Sequence, residues 1–341
     1  MYANDRGGGL AARASQQSDR PKYPSPPQHR FRRLDWARYR RFLRHGWKPL
    51  LALLRRLVRD LPTPYSVRPP GTRGRPPTDP RDVVRFLLLR TLEGWSYDEV
   101  HATLDACPEF RRRLGFRHLP AAPTVAALSA RVPPTYLERL VAELARRCAT
   151  RPLHLAGDGT GLSTRRFERW IAARAHSGHR HAFVKLHALV STRAQFPLFY
   201  AAHVTDAYTN DVTELRALLA QVPPDLPLGN VALDRGYLGK RNAQTIADRG
   251  GRPVIALRHT IPITTTPDGC PAWKAMVVDQ LTHRREFRCR YRRRAVIEGV
   301  FGAFKERFGA SIRSHRTATQ TVEILTRVVV WNALALTYHR S

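Results

Sequence analysis

Three acidic residues in this 341-residue sequence stand in settings that suit a divalent-metal site. Asp158 and Asp234 each follow a short apolar segment typical of a buried strand, and Glu298 lies in a later amphipathic segment. Side chains at the carboxyl ends of strands project into the crevice where open α/β sheets place their sites. Two carboxylates in one crevice repel each other unless a cation lies between them, and hard oxygen ligands select Mg²⁺ or Mn²⁺. Either aspartate alone would also suit a turn-capping role.

The segment around Glu298 predicts one helix over residues 291–308 with a polar stripe. At about 100° per residue, four polar side chains fall within about 60° of one another: Tyr291, Arg294, Glu298 and Lys305. The opposite face is apolar and consists of Val296, Ile297, Val300, Phe304 and Phe308. Glu298 is therefore either a simple i,i+4 partner of Arg294 or the third carboxylate of a metal cluster that has phosphate-binding cations beside it.

The spacing Tyr291-x2-Arg294-x3-Glu298-x6-Lys305 resembles the Y-R-E-K signature of bacterial insertion-sequence DDE transposases, in the superfamily around insertion sequences four and five. The sequence Leu-Ala-Gly-Asp-Gly-Thr around the earlier aspartate resembles the setting of that family's first acid. The sequence Leu-Asp-Arg-Gly-Tyr resembles the setting of its second acid. The resemblance covers about residues 78–338, and its motifs are specific in combination.

This resemblance implies a ribonuclease H-like core that holds two Mg²⁺ ions, with Mn²⁺ as a substitute. Asp158, Asp234 and Glu298 would be both the metal ligands and the catalytic residues, and Asp158 would bridge the two ions. Contacts with DNA phosphates and backbone would fall on Arg294, Lys305 and Tyr291.

The implied activity is transposition of the cut-and-paste type. Such an enzyme binds terminal inverted repeats and catalyses metal-dependent cleavage and strand transfer. Its partners would be double-stranded DNA, both transposon ends and target, and a second copy in a homodimer on DNA. Two alternatives stay open at this point: a catalytically silent DNA-binding protein derived from a transposase, and a host nuclease on the same fold.

Further residues are candidates for DNA contact beside this centre. Lys185 and His187 share one face of a predicted strand, which is similar to the K-x-H strand that such transposases often carry. Lys240 begins a predicted helix shortly after Asp234, where it would meet a phosphate or solvent. Trp273 would stack on a displaced base or pack locally.

Other acids and histidines offer alternative sites. Asp206 and Asp211 are alternative acids, although Asp211 occupies a position typical of a helix N-cap. Four histidines in one basic segment are an alternative zinc site, but no cysteine lies near them and their spacing does not require their side chains to converge. These histidines are His176, His179, His181 and His187.

The charge composition points to a polyanionic partner. The sequence has 58 Lys and Arg against 27 Asp and Glu, a net charge of +31. This charge favours nucleic acid as the partner, although a GC-rich genome also enriches arginine.

Residues 1–77 hold 18 basic and four acidic residues and predict a basic, partly disordered N-terminal arm. Within it, residues 34–61 have helical spacing broken at Pro49. Arg73 and Arg75 in Arg-Gly-Arg-Pro resemble an AT-hook core for the minor groove, or form a linker.

Residues 78–150 predict a small helical domain. Thr78-Asp79-Pro80 starts a helix that stops at Gly94, and residues 96–99 read as a capping box that opens the next one. Several short helices with tight turns in a basic protein predict a helix-turn-helix-like DNA-binding domain, with a helical scaffold as the alternative.

From residue 153 onward, strand patterns alternate with helical ones and predict a mixed α/β sheet. Residues 153–156 read as a short strand. Residues 151–313 predict the ribonuclease H-like catalytic domain, and residues 314–341 predict a C-terminal helix that packs on the core.

The apolar stretch 324–338 is too short to span a bilayer. Scattered cysteines and the lack of an apolar N-terminal segment predict a cytoplasmic, nucleoid-associated protein with no membrane role.

Overall fold

A mixed β-sheet forms the centre of the fold. The computed structural model describes residues 36–68, 76–164, 183–193, 197–257 and 270–340. Within these residues the sheet has five strands: β1 (Leu153–Ser163), β2 (Phe183–Ser191), β3 (Phe199–Asp206), β4 (Leu228–Leu233) and β5 (Arg252–Ile255). In the order β3-β2-β1-β4-β5, the first two pairs are antiparallel and the last two are parallel. This arrangement confirms the predicted α/β class.

Helices cover the sheet and build the region before it. In chain order they are α1 (Trp36–His45), α2 (Trp47–Asp60), α3 (Pro80–Glu93), α4 (Tyr97–Ala106), α5 (Pro108–Leu114), α6 (Ala122–Ser129), α7 (Pro134–Arg146), α8 (Asp211–Gln221), α9 (Lys240–Asp248), α10 (Pro271–Thr282), α11 (Arg284–Tyr291), α12 (Ala295–Phe308) and α13 (Thr317–Arg340). Among the described residues, 3₁₀ turns span Arg235–Tyr237 and Arg292–Arg294. From Trp36 onward, the described residues form one compact unit. Within the described stretches, no helix has both the length and the apolar character to cross a membrane.

Local capping signals define α3 and α4 as predicted. The Asp79 carboxylate accepts a hydrogen bond of 2.8 Å from the amide of Arg81 and caps α3. That helix ends at Gly94, whose φ of +74° lies in the left-handed region that glycine adopts at little cost. Ser96 and Glu99 form both hydrogen bonds of the capping box, at 3.2 and 2.6 Å. Short-range chemistry is therefore sufficient to place these helix ends.

The break between α1 and α2 lies at Gly46 and not at Pro49, so the predicted position of the helix break is wrong. Pro49 lies in the first turn of α2, where its missing N–H has no partner within the helix to lose. A Cβ on Gly46 would lie 2.5 Å from the carbonyl oxygen of Phe42, so this junction requires glycine. Helix α2 packs against α3 and α5 and buries Leu50, Leu51, Leu53, Leu54, Leu57 and Val58. This part of the predicted arm therefore packs into the folded unit.

Strand β1 is longer than predicted. It continues to Ser163 because β2 pairs with it in antiparallel register along residues 155–163. Asp158 consequently lies inside β1 and not at its carboxyl end, which corrects that part of the prediction. The parallel ladder with β4 nevertheless ends at Gly157, one residue before the aspartate.

The C-terminal helix fastens the edge of the sheet. Helix α13 packs against α3, α7 and β3. The side chain of Asn332 is fully buried, accepts a hydrogen bond from the Phe199 amide at 2.9 Å and donates one to the Phe199 carbonyl at 2.8 Å. Because β3 is an edge strand, this amide satisfies backbone groups that would otherwise be unpaired.

Candidate active site

The parallel register of β1 and β4 brings two of the predicted acids together. Gly157 pairs with Leu233 at the end of the ladder, and Asp158 and Asp234 are the next residues along the two chains. A 3₁₀ turn follows Asp234 and ends the strand pairing. The two carboxylates thus belong to neighbouring segments at the end of the parallel ladder between β1 and β4.

Arg294 joins both aspartates to the third acid. Its Nη1 lies 3.4 Å from Asp158 Oδ2 and 3.8 Å from Asp234 Oδ1, and its Nη2 lies 2.6 Å from Glu298 Oε1. The predicted single helix is divided here, because the 3₁₀ turn ends at Arg294 and α12 begins at Ala295. The i,i+4 pair is therefore present, and so is a wider convergence of three carboxylates on one guanidinium.

The three acids differ in their exposure to solvent. The side chains of Asp158, Asp234 and Glu298 are 22%, 44% and 55% exposed. Burial raises the pKa of Asp158 to about 6; the charge of Asp234 adds to this rise, while the Gly159 amide and Arg294 oppose it. A carboxylate in this position favours a cation beside it, because the cation stabilises the ionised form.

Tyr291 and Lys305 lie on either side of this centre along the chain. The ring of Tyr291 stacks on Phe287 at 6.3 Å, and the Arg294 guanidinium lies 5.9 Å from the Tyr291 centroid. Lys305 is about 10 Å along α12 from Glu298, and burial lowers the pKa of its amine. The helix is oriented by a buried face that consists of Ile297, Val300, Phe301 and Phe304.

Comparison with known families assigns the chain. Residues 149–333, more than half of the sequence, match the Transposase DDE domain, and this match spans all three acids. The chain belongs to the DDE transposase family. Residues 34–130 match a second family, Transposase domain (DUF772). An alignment of 188 positions shows 32% identity to a Burkholderia cepacia protein described as a transposase for insertion sequence element IS402. It covers 48% of this chain and 82% of the relative. No solved structure matches.

The DDE match identifies the mixed sheet as a ribonuclease H-like fold, as predicted, and the helical region before it belongs to the same transposase. DDE transposase domains generally use divalent metal ions. Three carboxylates are a suitable donor set for a hard cation. In the described part of the chain, no three His, Cys, Asp or Glu side chains form a ready metal cluster. Arg294 contacts all three carboxylates in this arrangement. The Y-R-E-K assignment stays a prediction.

A second charged cluster lies beside this centre in the transposase. Asp211 Oδ1 is 2.8 Å from Lys185 Nζ and 3.1 Å from His187 Nδ1, and His187 Nε2 is 2.9 Å from Thr205 Oγ1. Burial alone would raise the pKa of Asp211, but His187 and Lys185 outweigh burial and lower it. The predicted N-cap role of Asp211 is wrong: Asn210 is the N-cap residue of α8, and the Asp211 carboxylate pairs with β2 instead.

This cluster corrects one predicted DNA contact and adds a residue to the site. His187 is fully buried with protein partners at both ring nitrogens, which leaves no ring edge for a phosphate. Contact between Lys185 and DNA stays a prediction. A Cβ on Gly159 would lie 2.9 Å from Asp211 Oδ1, and one on Gly236 would lie 3.0 Å from Oδ2. Gly159, next to Asp158, and Gly236, two residues after Asp234, therefore make room for the Asp211 carboxylate.

The remaining candidates lie outside this centre. Lys240 begins α9, and its contact with DNA stays a prediction. Trp273 is only 6% exposed, so the idea that it stacks on a displaced base is wrong. Asp206 accepts hydrogen bonds of 2.8 Å from the amides of Tyr208 and Thr209 and shapes a turn. Two predicted DNA contacts, Arg73 and Arg75, and three histidines of the alternative zinc site, His176, His179 and His181, fall outside the described residues.

Proposed function

We propose that this transposase binds the terminal inverted repeats of its element as double-stranded DNA and moves the element by a cut-and-paste reaction. Metal-dependent phosphodiester cleavage and strand transfer would occur at Asp158, Asp234 and Glu298. The observation that carries the proposal is the convergence of these carboxylates, from β1, the end of β4 and α12, on the single cation Arg294.

Each residue has a proposed part in the reaction. Bound Mg²⁺, two ions per site with Mn²⁺ as a substitute, would supply an activated hydroxyl nucleophile and charge relief on the leaving oxygen. Asp158, the least exposed acid, would hold these ions together with Asp234 and Glu298. Lys305 and Arg294 would bind phosphates beside the scissile bond. Tyr291, Lys185 and Lys240 are the further proposed DNA contacts.

DNA binding is proposed for the regions before the catalytic domain. Residues 1–77, with Arg73 and Arg75, would attract phosphates, and residues 78–150 would read the repeat. Helices α1 and α2 support this because they expose a row of cations: Arg40, Arg41, Arg44, Lys48, Arg55, Arg56 and Arg59. Residues 151–313 would carry the chemistry, with residues 314–341 packed on them. A homodimer would hold two transposon ends together.

A nicking assay on DNA that carries the inverted repeats flanking the gene tests the proposal. We expect Asp158→Asn, Asp234→Asn and Glu298→Gln each to lower Mg²⁺-dependent nicking by about a thousandfold or more, while gel-shift affinity for the same DNA is kept. Glu306→Gln is the matched control, because Glu306 is an exposed acid on the same helix as Glu298. Full nicking by any of the three variants would contradict the assignment. Binding without nicking by the wild type would favour a silent DNA-binding protein.

A further inference from the structure

The position of Arg294 points to competition between this side chain and the divalent metal. We propose that Arg294 is an internal counter-ion that occupies the carboxylate oxygens of the centre, and that it must leave them before they can serve as metal ligands. The same side chain then becomes available to a DNA phosphate. This inference rests on the proposed function, because it takes Asp158, Asp234 and Glu298 as the metal ligands.

The contacts of Arg294 use the oxygens that a metal would need. Nη1 lies between Asp158 Oδ2 at 3.4 Å and Asp234 Oδ1 at 3.8 Å, and Nη2 binds Glu298 Oε1 at 2.6 Å. Ligand oxygens lie about 2.0–2.1 Å from Mg²⁺. A guanidinium at these distances and a divalent ion on the same oxygens would repel each other strongly at short range. Arg294 and a divalent metal ion therefore cannot occupy the three carboxylates at the same time.

Neighbouring arginines do not share this position. Arg292 is exposed to solvent. Arg293 is also exposed and lines a separate cavity with His154 and Asn230. Of the three arginines in the 3₁₀ turn, Arg294 is the one with ion pairs to all three acids.

Arg294 also has a partner that would keep it near the site after it leaves the carboxylates. The ring of Tyr291 lies 5.9 Å from its guanidinium, within the range of a cation–π contact. Withdrawal towards this ring and towards bound DNA would free the carboxylates without moving α12. Metal binding and phosphate binding would then favour the same arrangement of one side chain, so each would strengthen the other by the same factor.

Mn²⁺ binding to the full-length protein without DNA tests this competition, with the free-ion signal in electron paramagnetic resonance as the readout. We expect Arg294→Gln and Arg294→Met each to lower the Kd for Mn²⁺ by about tenfold, equivalent to about 1.4 kcal/mol. Arg294→Lys keeps the charge and should stay within about threefold of wild type. Arg292→Gln removes an equal charge from the same turn and should change the Kd by less than about twofold. Far-UV circular dichroism checks that each variant is folded.

The Asp158→Asn variant separates failure of this inference from failure of the proposed function. If Asp158→Asn weakens Mn²⁺ binding but the two neutral Arg294 variants bind no tighter than wild type, the metal site stands and the competition is refuted. If Asp158→Asn binds Mn²⁺ as well as wild type, or none of the proteins binds it, the carboxylates are not the metal site. Both proposals then fail. Both proposals are supported if the neutral Arg294 variants bind Mn²⁺ more tightly than the wild type and if adding Asp158→Asn to these variants abolishes that gain.

Discussion

The ion pair between Asp211 and Lys185 joins the first turn of α8 to β2, and we expect its loss to lower stability and activity together. In Asp211→Ala, Lys185 and the fully buried His187 lose the carboxylate that they share. Breaking a fully buried ion pair costs about 3–5 kcal/mol, whereas an exposed pair contributes below about 1 kcal/mol. The Lys185 and Asp211 side chains are 15% and 24% exposed. We therefore expect the free energy of unfolding to fall by about 2–3 kcal/mol.

Urea-induced unfolding followed by far-UV circular dichroism measures this change. The double variant Asp211→Ala with Lys185→Met should regain about 1 kcal/mol relative to Asp211→Ala, because it leaves no ammonium group unpaired in a largely buried position. Asp105→Ala is the control: Asp105 is exposed on α4, and its loss should change stability by less than about 0.5 kcal/mol.

The activity of Asp211→Ala tests the position of this carboxylate. Asp211 fills the space beside Gly159 and Gly236, which neighbour the proposed metal ligands along the chain. Its loss should therefore also lower Mg²⁺-dependent nicking, by about 10–100-fold, in conditions where the variant is folded. A fall in stability of less than about 0.5 kcal/mol together with unchanged nicking would refute the reasoning.

Two further predictions concern charges away from this centre. The hydrogen bond to Glu138 raises the pKa of His203, so the stabilisation from this pair is full at low pH and is lost as the pH rises through the folded-state pKa. Between about pH 6 and pH 8, the free energy of unfolding measured by urea titration should fall by about 0.5–1 kcal/mol more in the wild type than in His203→Gln. Equal falls in the two proteins would contradict this. Burial would raise the pKa of Glu323, but Arg327 and the Arg313 amide outweigh burial and lower this pKa. The contribution of Glu323 to stability is therefore present above its unfolded-state pKa and is lost as the pH falls through its folded-state pKa. Glu323→Ala should lower the free energy of unfolding by about 3–5 kcal/mol at neutral pH, and a change no larger than that of the exposed Glu306→Ala would disprove the pairing.

Features that depend on neighbouring residues could be predicted from the sequence. The N-cap at Asp79, the left-handed end at Gly94 and the capping box that starts at Ser96 each involve groups within about one helical turn. Their hydrogen bonds form in any chain that places those residues at that spacing. The identity of the three candidate acids was accessible for a related reason, because their motifs are short and contiguous.

Features that depend on distant packing could not be predicted. Helix α10 carries no strong apolar periodicity and α11 consists mostly of charged residues, yet they bury Trp273, Met276, Val277 and Phe287 against the sheet and against each other. The length of β1 depended on its antiparallel partner, 20 or more residues away in the sequence. In these cases tertiary contacts outweigh local preference.

The sequence by itself determined which groups carry charge and where they stand along the chain: three carboxylates in family motifs, and an arginine four residues before the last of them. Only the tertiary structure decided which of these groups meet. The parallel register of β1 and β4 sets Asp158 beside Asp234, and the turn before α12 lets Arg294 reach both as well as Glu298. Charge partners are chosen by distance in space, and the strand pairing that sets this distance is a long-range contact that no local pattern encodes.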